Sequence, residues 1–181
     1  MVKMAEMPPN QNYVLGSHPH GIMCTAPFCN FLTKGNNFSQ HFPGLQAWKA
    51  TLAGLFYLPM FRDYIMLSGL GAVSCHSLDF ALSAPKLGQA VVIFPGGAQE
   101  ALYTAPGQHC LKLLNRKGFI RLALRHGASL VPTYSFGEND IFNTKTFAEG
   151  SWQYLCQVIV KSILGFSHCI FWGRSLFSPC S

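Results

Sequence analysis

Three short runs of β-branched and aromatic residues each lead directly into a turn that contains glycine or proline. The runs are Asn12–Gly16 (NYVLG), Ala90–Phe94 (AVVIF) and Ser129–Phe136 (SLVPTYSF). Runs of this length and composition, bounded by turn residues, predict β-strands. They constrain the fold more than any other feature, because a strand has to pair with other strands and bury its apolar side chains.

Two segments between these strands are predicted to form helices. Cys110–Gly127 carries apolar residues at helical spacing and ends on a glycine, the residue that commonly closes a helix. The shorter segment LDFALS follows a candidate N-cap, Ser77, and is stopped by Pro85. Strands that alternate with helices favour right-handed crossovers, so we predict an α/β fold with a mostly parallel sheet and flanking helices.

The composition indicates a chain with few side chains suited to water. Of its 181 residues, 49% are apolar and only 11% are charged, against roughly 25% charged residues in a typical soluble protein. Lys49 and Lys161 interrupt the two longest apolar stretches, so neither reaches the about 18 residues needed to cross a bilayer. The N-terminus has no apolar run before a small-residue cleavage site, which argues against a secretory signal. We expect reversible binding to a membrane surface, with the run Leu52–Phe61 dipping into the headgroup region.

The seven cysteines, an odd number without a CxxC pair, argue against a disulfide framework and a structural zinc site. The spacing of His18 and His20 would suit a metal. Cys24 or Cys29 could add a ligand, but no second cluster offers the rest. Cys24 could alternatively be a nucleophile served by a histidine, although nothing else in the sequence marks a cysteine enzyme. Without that second cluster we expect no metal site. The stretch FPGGAQE lacks the GK[ST] ending of a P-loop, so we do not expect nucleotide hydrolysis.

Polar residues follow each predicted strand at the point where it ends. Chemistry in parallel α/β sheets gathers beyond the carboxyl ends of the strands, so these loops are the candidate site. The residues concerned are His18 and His20 after the first strand, Gly96, Gly97 and Glu100 after the second, and Glu138, Asn139 and Asp140 after the third. We expect the three loops to meet, although each histidine taken alone fits a hydrogen-bonded turn residue equally well.

Five basic residues lie within the predicted helix Cys110–Gly127. They are Lys112, Arg116, Lys117, Arg121 and Arg125. A solvated helix face would explain them without a function. The functional alternative is contact with the phosphates of coenzyme A or of anionic lipid headgroups, which the formal net charge of +6 favours. No nucleic-acid-binding motif surrounds them, so nucleic acid is not an expected partner.

Five sequence blocks, in this order, resemble the signature of one enzyme family. They are HPHGIM, RDYIM, FPGGAQEAL, RKGFIRLALRHGASLVPTYSFGEND and FWGRSLFS. Together they are similar to the diacylglycerol acyltransferase 2 and monoacylglycerol acyltransferase family over nearly the whole chain. NYVLGSHPHGIMCT and LAGLFYLPMFRDYIM look most similar to the monoacylglycerol acyltransferase branch, although wax-ester synthases of the same family share much of this wording.

The resemblance implies transfer of a fatty acyl group from acyl coenzyme A, a co-substrate, to the hydroxyl of a mono- or diacylglycerol or of a fatty alcohol in triacylglycerol synthesis. It also implies a glycerolipid-acyltransferase-like fold, no resident cofactor, and a place at the cytosolic face of the endoplasmic reticulum membrane or on lipid droplets. Family members are longer, so residues 1–181 are expected to form one acyltransferase domain that is truncated at both ends. The alternative is a catalytically inactive remnant or a lipid-surface binding module.

Attack of a hydroxyl on a thioester needs a base, and imidazole, with an unperturbed pKa of about 6.5, suits that task. We predict that His20 is the base and that His18 is its neighbour. Glu100 is predicted to bond the other ring nitrogen of His20, which would fix the tautomer and stabilise the imidazolium. Gly21, directly after His20, leaves room for a substrate, and Pro19 restricts the backbone between the histidines.

Other acidic partners and binding residues are also candidates. The more distant glycerolipid acyltransferases carry an aspartate at a fixed short distance after the histidine, but Met23 and Thr25 occupy the corresponding positions here. Glu138 and Asp140 are therefore the further acidic candidates after Glu100. The residues predicted to bind the oxyanion or acyl coenzyme A are Gly96, Gly97, Arg116, Lys117 and Arg121.

Overall fold

Five parallel strands form the central sheet of the computed structural model, which describes residues 1–33, 35–148, 150–165, 167 and 169–172. The strands are β1 (Tyr13–His18), β2 (Gln46–Thr51), β3 (Leu70–Ala72), β4 (Gln89–Ile93) and β5 (Ser129–Tyr134), in the spatial order β3-β2-β4-β1-β5. A separate antiparallel pair consists of β6 (Asn143–Lys145) and β7 (Ile170–Trp172). The three strands predicted from the sequence are β1, β4 and β5, and the predicted α/β fold is confirmed.

Helices connect the strands of this sheet. The α-helices are α1 (Thr25–Pro27), α2 (Phe38–His41), α3 (Phe61–Leu67), α4 (Cys75–Leu82), α5 (Gly97–Ala101), α6 (Gly118–His126) and α7 (Trp152–Leu164). A π-helix, Phe28–Leu32, continues α1, and short 3-10 helices span Ala53–Tyr57 and Glu138–Asp140. Within the ranges that the structure describes, no helix is both long enough and apolar enough to cross a membrane.

Apolar clusters cover both faces of the sheet. The first face carries Met7, Tyr13, Leu15, Phe31, Phe38, Phe42, Leu45, Ala90 and Val92. The second face carries Val14, Ala50, Ala81, Leu82, Val91, Ile93, Leu122 and Ala123. Strands β1 and β4 are buried along their whole length, as is typical of central strands in a parallel sheet that is covered on both sides.

The neighbouring strands β1 and β4 send the chain onto opposite faces of the sheet. After β1 the chain enters α1 and the π-helix, whose Phe31 packs on the first face. After β4 it passes through α5 to α6, whose Leu122 packs on the second face. Where neighbouring parallel strands diverge in this way, a crevice opens beyond their carboxyl ends, and ligands commonly bind there. His20 and Glu100 belong to the two segments that border this crevice.

The helix predicted over Cys110–Gly127 is shorter than expected, because α6 begins only at Gly118. The backbone of Asn115 is left-handed, with a φ of 69°, and such a residue does not continue a right-handed helix. Before it, the Lys112 N–H donates to the Glu100 carboxylate (3.1 Å) rather than to a helical carbonyl. The predicted glycine at the C-terminal end is right, since it caps α6 in the left-handed conformation.

Two other details of the fold differ from the sequence prediction. Ser77 is not the cap of α4, because Ser74 holds that position and its Oγ accepts the N–H of Ser77 (3.1 Å). Strands β2 and β3 were not predicted. β2 includes Gln46 and Lys49 and is mostly half-buried, so it lacks the continuous apolar run that marks β1 and β4.

Candidate active site

β1 delivers two histidines to the edge of the sheet, where they enter different surroundings. His18 is the last residue of β1 and is 7% exposed. Its Nδ1 lies 3.5 Å from Oε1 of Glu100, an ion-pair distance without hydrogen-bond geometry. His20 is half-buried and lines a cavity, whereas His18 does not. The two imidazoles predicted to be neighbours therefore have separate partners.

One nitrogen of the His20 ring is engaged, and no described residue forms a hydrogen bond with the other. Nδ1 lies 2.8 Å from the carbonyl oxygen of Gly21. A carbonyl oxygen only accepts, so Nδ1 carries the proton and Nε2 keeps its lone pair. The imidazole and the Phe94 ring pack in an edge-to-face arrangement, with the ring centroids 5.7 Å apart. Burial lowers the pKa of His20, although the Gly21 carbonyl and the Glu100 charge act in the opposite direction, so the ring is a neutral base at pH 7.

Glu100 is a buried carboxylate, 2% exposed, that joins separate parts of the chain. Its Oε2 accepts the backbone N–H of His20 (2.9 Å), and its Oε1 accepts the backbone N–H of Lys112 (3.1 Å). Burial acts to raise the pKa of Glu100, but His18 and these two N–H groups outweigh it, and the pKa is lowered. The predicted bond from Glu100 to the ring of His20 is wrong, because the Gly21 carbonyl already engages Nδ1.

The two glycines after β4 serve different purposes. A Cβ added to Gly96 would lie 2.8 Å from Cβ of Glu100 and closer still to its carboxylate. Gly96 therefore makes space for the buried Glu100 side chain. Gly97 has a φ of 55°, and its N–H donates to the Phe94 carbonyl in a turn (3.1 Å). That N–H is therefore engaged in the turn in this structure, and the oxyanion role of Gly96 and Gly97 stays a prediction.

Glu138 anchors the segment that follows His20. Its two carboxylate oxygens accept the N–H groups of Thr25 (2.8 Å) and Ala26 (2.6 Å). Burial raises the pKa of Glu138, although these two bonds act to lower it. Gly21 has a φ of 62°, and a Cβ there would lie 2.5 Å from Oε1 of Glu138. Glu138 thus holds the loop behind the imidazole and is not a partner of its ring.

Asp140, the other further acidic candidate, is exposed and also binds backbone. Its Oδ1 accepts the N–H of Gly107 (2.8 Å). The neighbouring Asn139 donates from Nδ2 to the carbonyl of Gln108 (2.7 Å). Both residues therefore secure the loop that carries Lys112 toward Glu100.

The cavity beside His20 has a volume of about 450 Å³, within the range of about 300–1,000 Å³ that is typical of small-molecule sites. It lies on the first face of the sheet, because Phe31 and Val92 of that cluster line it. Most of its wall is apolar and includes Ile22, Phe28, Leu52, Leu55, Val73 and Phe94. Side chains with polar atoms among its lining residues include His20, Cys24, Lys49 and Thr51. A site of this composition suits a ligand with a long apolar part.

Cys24 lines this cavity but is not suited to act as a nucleophile. Burial, with the charges of Glu138 and Glu100 as smaller contributions, raises the pKa of its thiol to about 12. A thiol with this pKa is protonated at neutral pH, and the thiolate is the reactive form. Among the residues that the structure describes, no group of three or more histidine, cysteine or acidic side chains is placed to hold a metal ion.

The basic residues do not form one helix face. Arg116 and Lys117 lie in the loop before α6, and Arg121 lies on the helix. All three are exposed, and none lines the cavity. Arg125, also on α6, pairs with Asp79 on α4 (3.2 Å), so this charge links two helices.

Two lysines near the site were missed, because in the sequence they only interrupt apolar runs. Lys49 on β2 lines the cavity. Lys161 on α7 donates to Oε1 of Gln99 on α5, and burial, with the charge of Arg116 as a smaller contribution, lowers its pKa. A lone lysine inside an apolar run is the signal that could have identified both. The FWGRSLFS block lies outside the described residues from position 173 onward.

A family model and several curated proteins match this chain. The family model described as "Diacylglycerol acyltransferase" matches residues 1–181. Human 2-acylglycerol O-acyltransferase 3 is 69% identical over 181 residues, covering 100% of this chain and 53% of the relative. Diacylglycerol O-acyltransferase 2 of Danio rerio is 48% identical over 179 residues, covering 99% of this chain and 50% of the relative. The corresponding protein of Bos taurus is 47% identical over 178 residues, covering 98% and 49%.

The chain spans about half the length of these curated relatives. No solved structure gives a significant match to it.

A side chain at position 96 should disturb the packing of Glu100. Gly96→Ala should destabilise the fold by about 1–3 kcal/mol, because the new methyl overlaps a buried, hydrogen-bonded side chain. Gly118→Ala is the matched control, since nothing lies within 4 Å of an added Cβ at the start of α6. Urea unfolding of both variants measures the difference. Equal stability of the two variants would contradict the packing described for Glu100.

Proposed function

The chain belongs to the diacylglycerol acyltransferase family, and from this membership we propose that it catalyses acyl transfer from acyl coenzyme A to the hydroxyl of an acylglycerol. The observation that carries the proposal is the neutral imidazole of His20, whose Nε2 lone pair is available beside an apolar cavity. The cavity would hold the acyl chain and the imidazole would act at its carbonyl end. No resident cofactor is needed, because both bonds exchanged belong to the substrates.

In the proposed step, His20 is the general base. The acceptor hydroxyl passes its proton to Nε2 as its oxygen attacks the thioester carbonyl carbon. The tetrahedral intermediate then collapses, and the carbon–sulfur bond breaks. The thiolate of coenzyme A takes the proton from the imidazolium, which restores neutral His20. General-base assistance of this kind is worth about 10² to 10⁴ in rate.

Glu100 is proposed as a positioning residue. It fixes the backbone of His20 through Oε2, and its lowered pKa keeps it ionised at neutral pH. The negative charge stabilises the imidazolium that forms during the reaction, although it does not bond the ring. His18, which lies 3.5 Å from the same carboxylate, is proposed to support Glu100 rather than to contact substrate.

A monoacylglycerol is the proposed acceptor. The relative that is 69% identical is named a 2-acylglycerol O-acyltransferase, whereas those named for diacylglycerol are 46–48% identical. Diacylglycerol and fatty alcohol are the alternatives. An assay of the full chain with radiolabelled oleoyl coenzyme A and each acceptor in turn tests activity and acceptor together. Transfer to none of the three would favour the alternative of an inactive, lipid-binding chain.

Peripheral attachment to a lipid surface is proposed as well, at the cytosolic face of the endoplasmic reticulum or on lipid droplets. Large apolar side chains are exposed along the segment that runs from the 3-10 helix after β2 to the end of α3. Tyr57 is 86% exposed, Met60 85% and Leu67 89%. The same segment contributes Leu52 and Leu55 to the cavity wall. An apolar surface that continues into an apolar cavity suits a substrate dissolved in lipid.

Arg116, Lys117 and Arg121 are proposed to bind the phosphates of coenzyme A. They lie outside the cavity, so their contribution would be to donor binding rather than to the chemical step. Lys161 adds a further positive charge near Arg116.

His20→Ala should lower turnover at least 10²-fold, since it removes the base. His18→Ala should cost less, because His18 does not line the cavity. The activity of the unaltered chain should decrease as the pH falls through the pKa of His20, which burial places below the ordinary histidine value of about 6.5. Turnover and its pH profile are measured on folded variants. Full activity of His20→Ala, or loss confined to His18→Ala, would exclude this assignment.

Removing the exposed apolar side chains should weaken lipid binding. The triple variant Tyr57→Ser, Met60→Ser, Leu67→Ser should bind phosphatidylcholine vesicles at least about tenfold less well, because apolar burial is worth about 1.5–3 kcal/mol per large side chain. The double variant Val2→Ser, Met4→Ser is the matched control, since these two side chains are also apolar and exposed (84% and 91%) but lie near the N-terminus, outside this segment. Co-sedimentation measures the binding. Equal loss in both variants would show that no particular surface is used.

Replacing Arg116 and Arg121 together by glutamine should raise KM for acyl coenzyme A and leave turnover at saturation nearly unchanged. The increase should shrink as salt concentration rises, because salt screens exposed charges. Steady-state kinetics at low and high salt measure both effects. An effect on turnover alone would oppose this role, and no effect would identify the residues as a solvated surface.

A further inference from the structure

Lys49 is the charged side chain of the cavity that the proposed reaction does not use. It lies on β2, opposite Val92 of β4 in the parallel register. Its neighbours Trp48 and Ala50 pack on the second face of the sheet. Side chains alternate along a strand, so that of Lys49 lies on the first face, where the cavity is.

The half-buried side chain of Lys49 lines this largely apolar cavity, and no described acidic residue forms an ion pair with it. No ion pair or hydrogen bond links its Nζ to any residue in the described part of the chain. The surrounding cavity wall is formed by side chains such as Phe31, Leu52 and Leu70. Burial is the sole cause that shifts the pKa of Lys49, and it lowers it, as expected where no acidic group is close. An ammonium in such a place gains from an anionic ligand more than one in water does.

We propose that the cavity binds a free fatty acid, with its carboxylate on Nζ of Lys49 and its hydrocarbon chain along the apolar wall. The carboxylate of such a ligand matches the positive charge of Lys49, and its hydrocarbon chain matches the apolar side chains of the cavity wall. A neutral ester lacks the charge that Lys49 would pair with and should bind less tightly. A bound fatty acid would occupy the space beside His20 and so compete with any acyl ligand.

The inference does not depend on acyl transfer, because binding can be measured without turnover. Isothermal titration of the full chain compares the anion dodecanoate, below its critical micelle concentration, with its neutral ester methyl dodecanoate, below its solubility limit. The unaltered chain should bind dodecanoate about tenfold or more tightly than the ester, the preference expected of a charge-assisted hydrogen bond. Lys49→Met should abolish that preference, Lys49→Arg should retain it, and Lys86→Met, a change at an exposed lysine, should leave it unaltered.

The outcomes separate this inference from the proposed function. A chain that prefers dodecanoate through Lys49 but transfers no acyl group would refute acyl transfer and support fatty acid binding. Equal binding of the acid and the ester by the unaltered chain would overturn the inference, whether or not the variants fold. Retention of the preference in folded Lys49→Met would overturn it as well.

Discussion

The carboxylate of Glu100 holds together the part of the molecule on which the candidate site depends. It accepts the backbone N–H of His20 from the loop after β1 and the N–H of Lys112 from the loop before α6. A buried carboxylate without such partners would cost several kcal/mol, so the two loops and the charge stabilise one another. The absence of a side chain at Gly96 is what lets the carboxylate reach this position.

Glu138 binds the loop after β1 a few residues beyond His20 and so anchors it at a second place. It binds the N–H groups of Thr25 and Ala26, so the segment from His20 to Ala26 is held between two buried carboxylates. Neither carboxylate bonds an imidazole, yet both determine where the ring of His20 lies. Holding the proposed base His20 through its own backbone preserves its geometry as its protonation changes, which is the preorganisation that a general base requires.

How much of this could be predicted from the sequence depends on how local the cause is. β1, β4 and β5 could be predicted, because runs of β-branched and aromatic residues reflect burial directly. β2 could not be predicted, since Lys49 interrupts its apolar residues and most of its positions are only half-buried. The residue types of the site were predictable, but the hydrogen-bond partners of Glu100 were not. Its carboxylate accepts backbone N–H groups, and because nearly every residue has one, the sequence does not show which of them it will bind. Asn115 likewise interrupts the predicted helix Cys110–Gly127 through a backbone conformation that the neighbouring residues do not indicate.

The topology also explains why polar chemistry and an apolar cavity can lie side by side. β1 and β4 send their continuations to opposite faces, so Glu100 and Lys112 close one side of the crevice with hydrogen bonds, while Phe31 and Leu52 line the other. His20 stands at the boundary, with its backbone on the charged side and its ring on the apolar side. A thioester has the same division, since its carbonyl joins a hydrocarbon chain to a charged carrier. The segment that forms the cavity wall at Leu52 and Leu55 continues into the exposed apolar surface at Tyr57 and Met60, so an acceptor dissolved in lipid could reach His20 without crossing water.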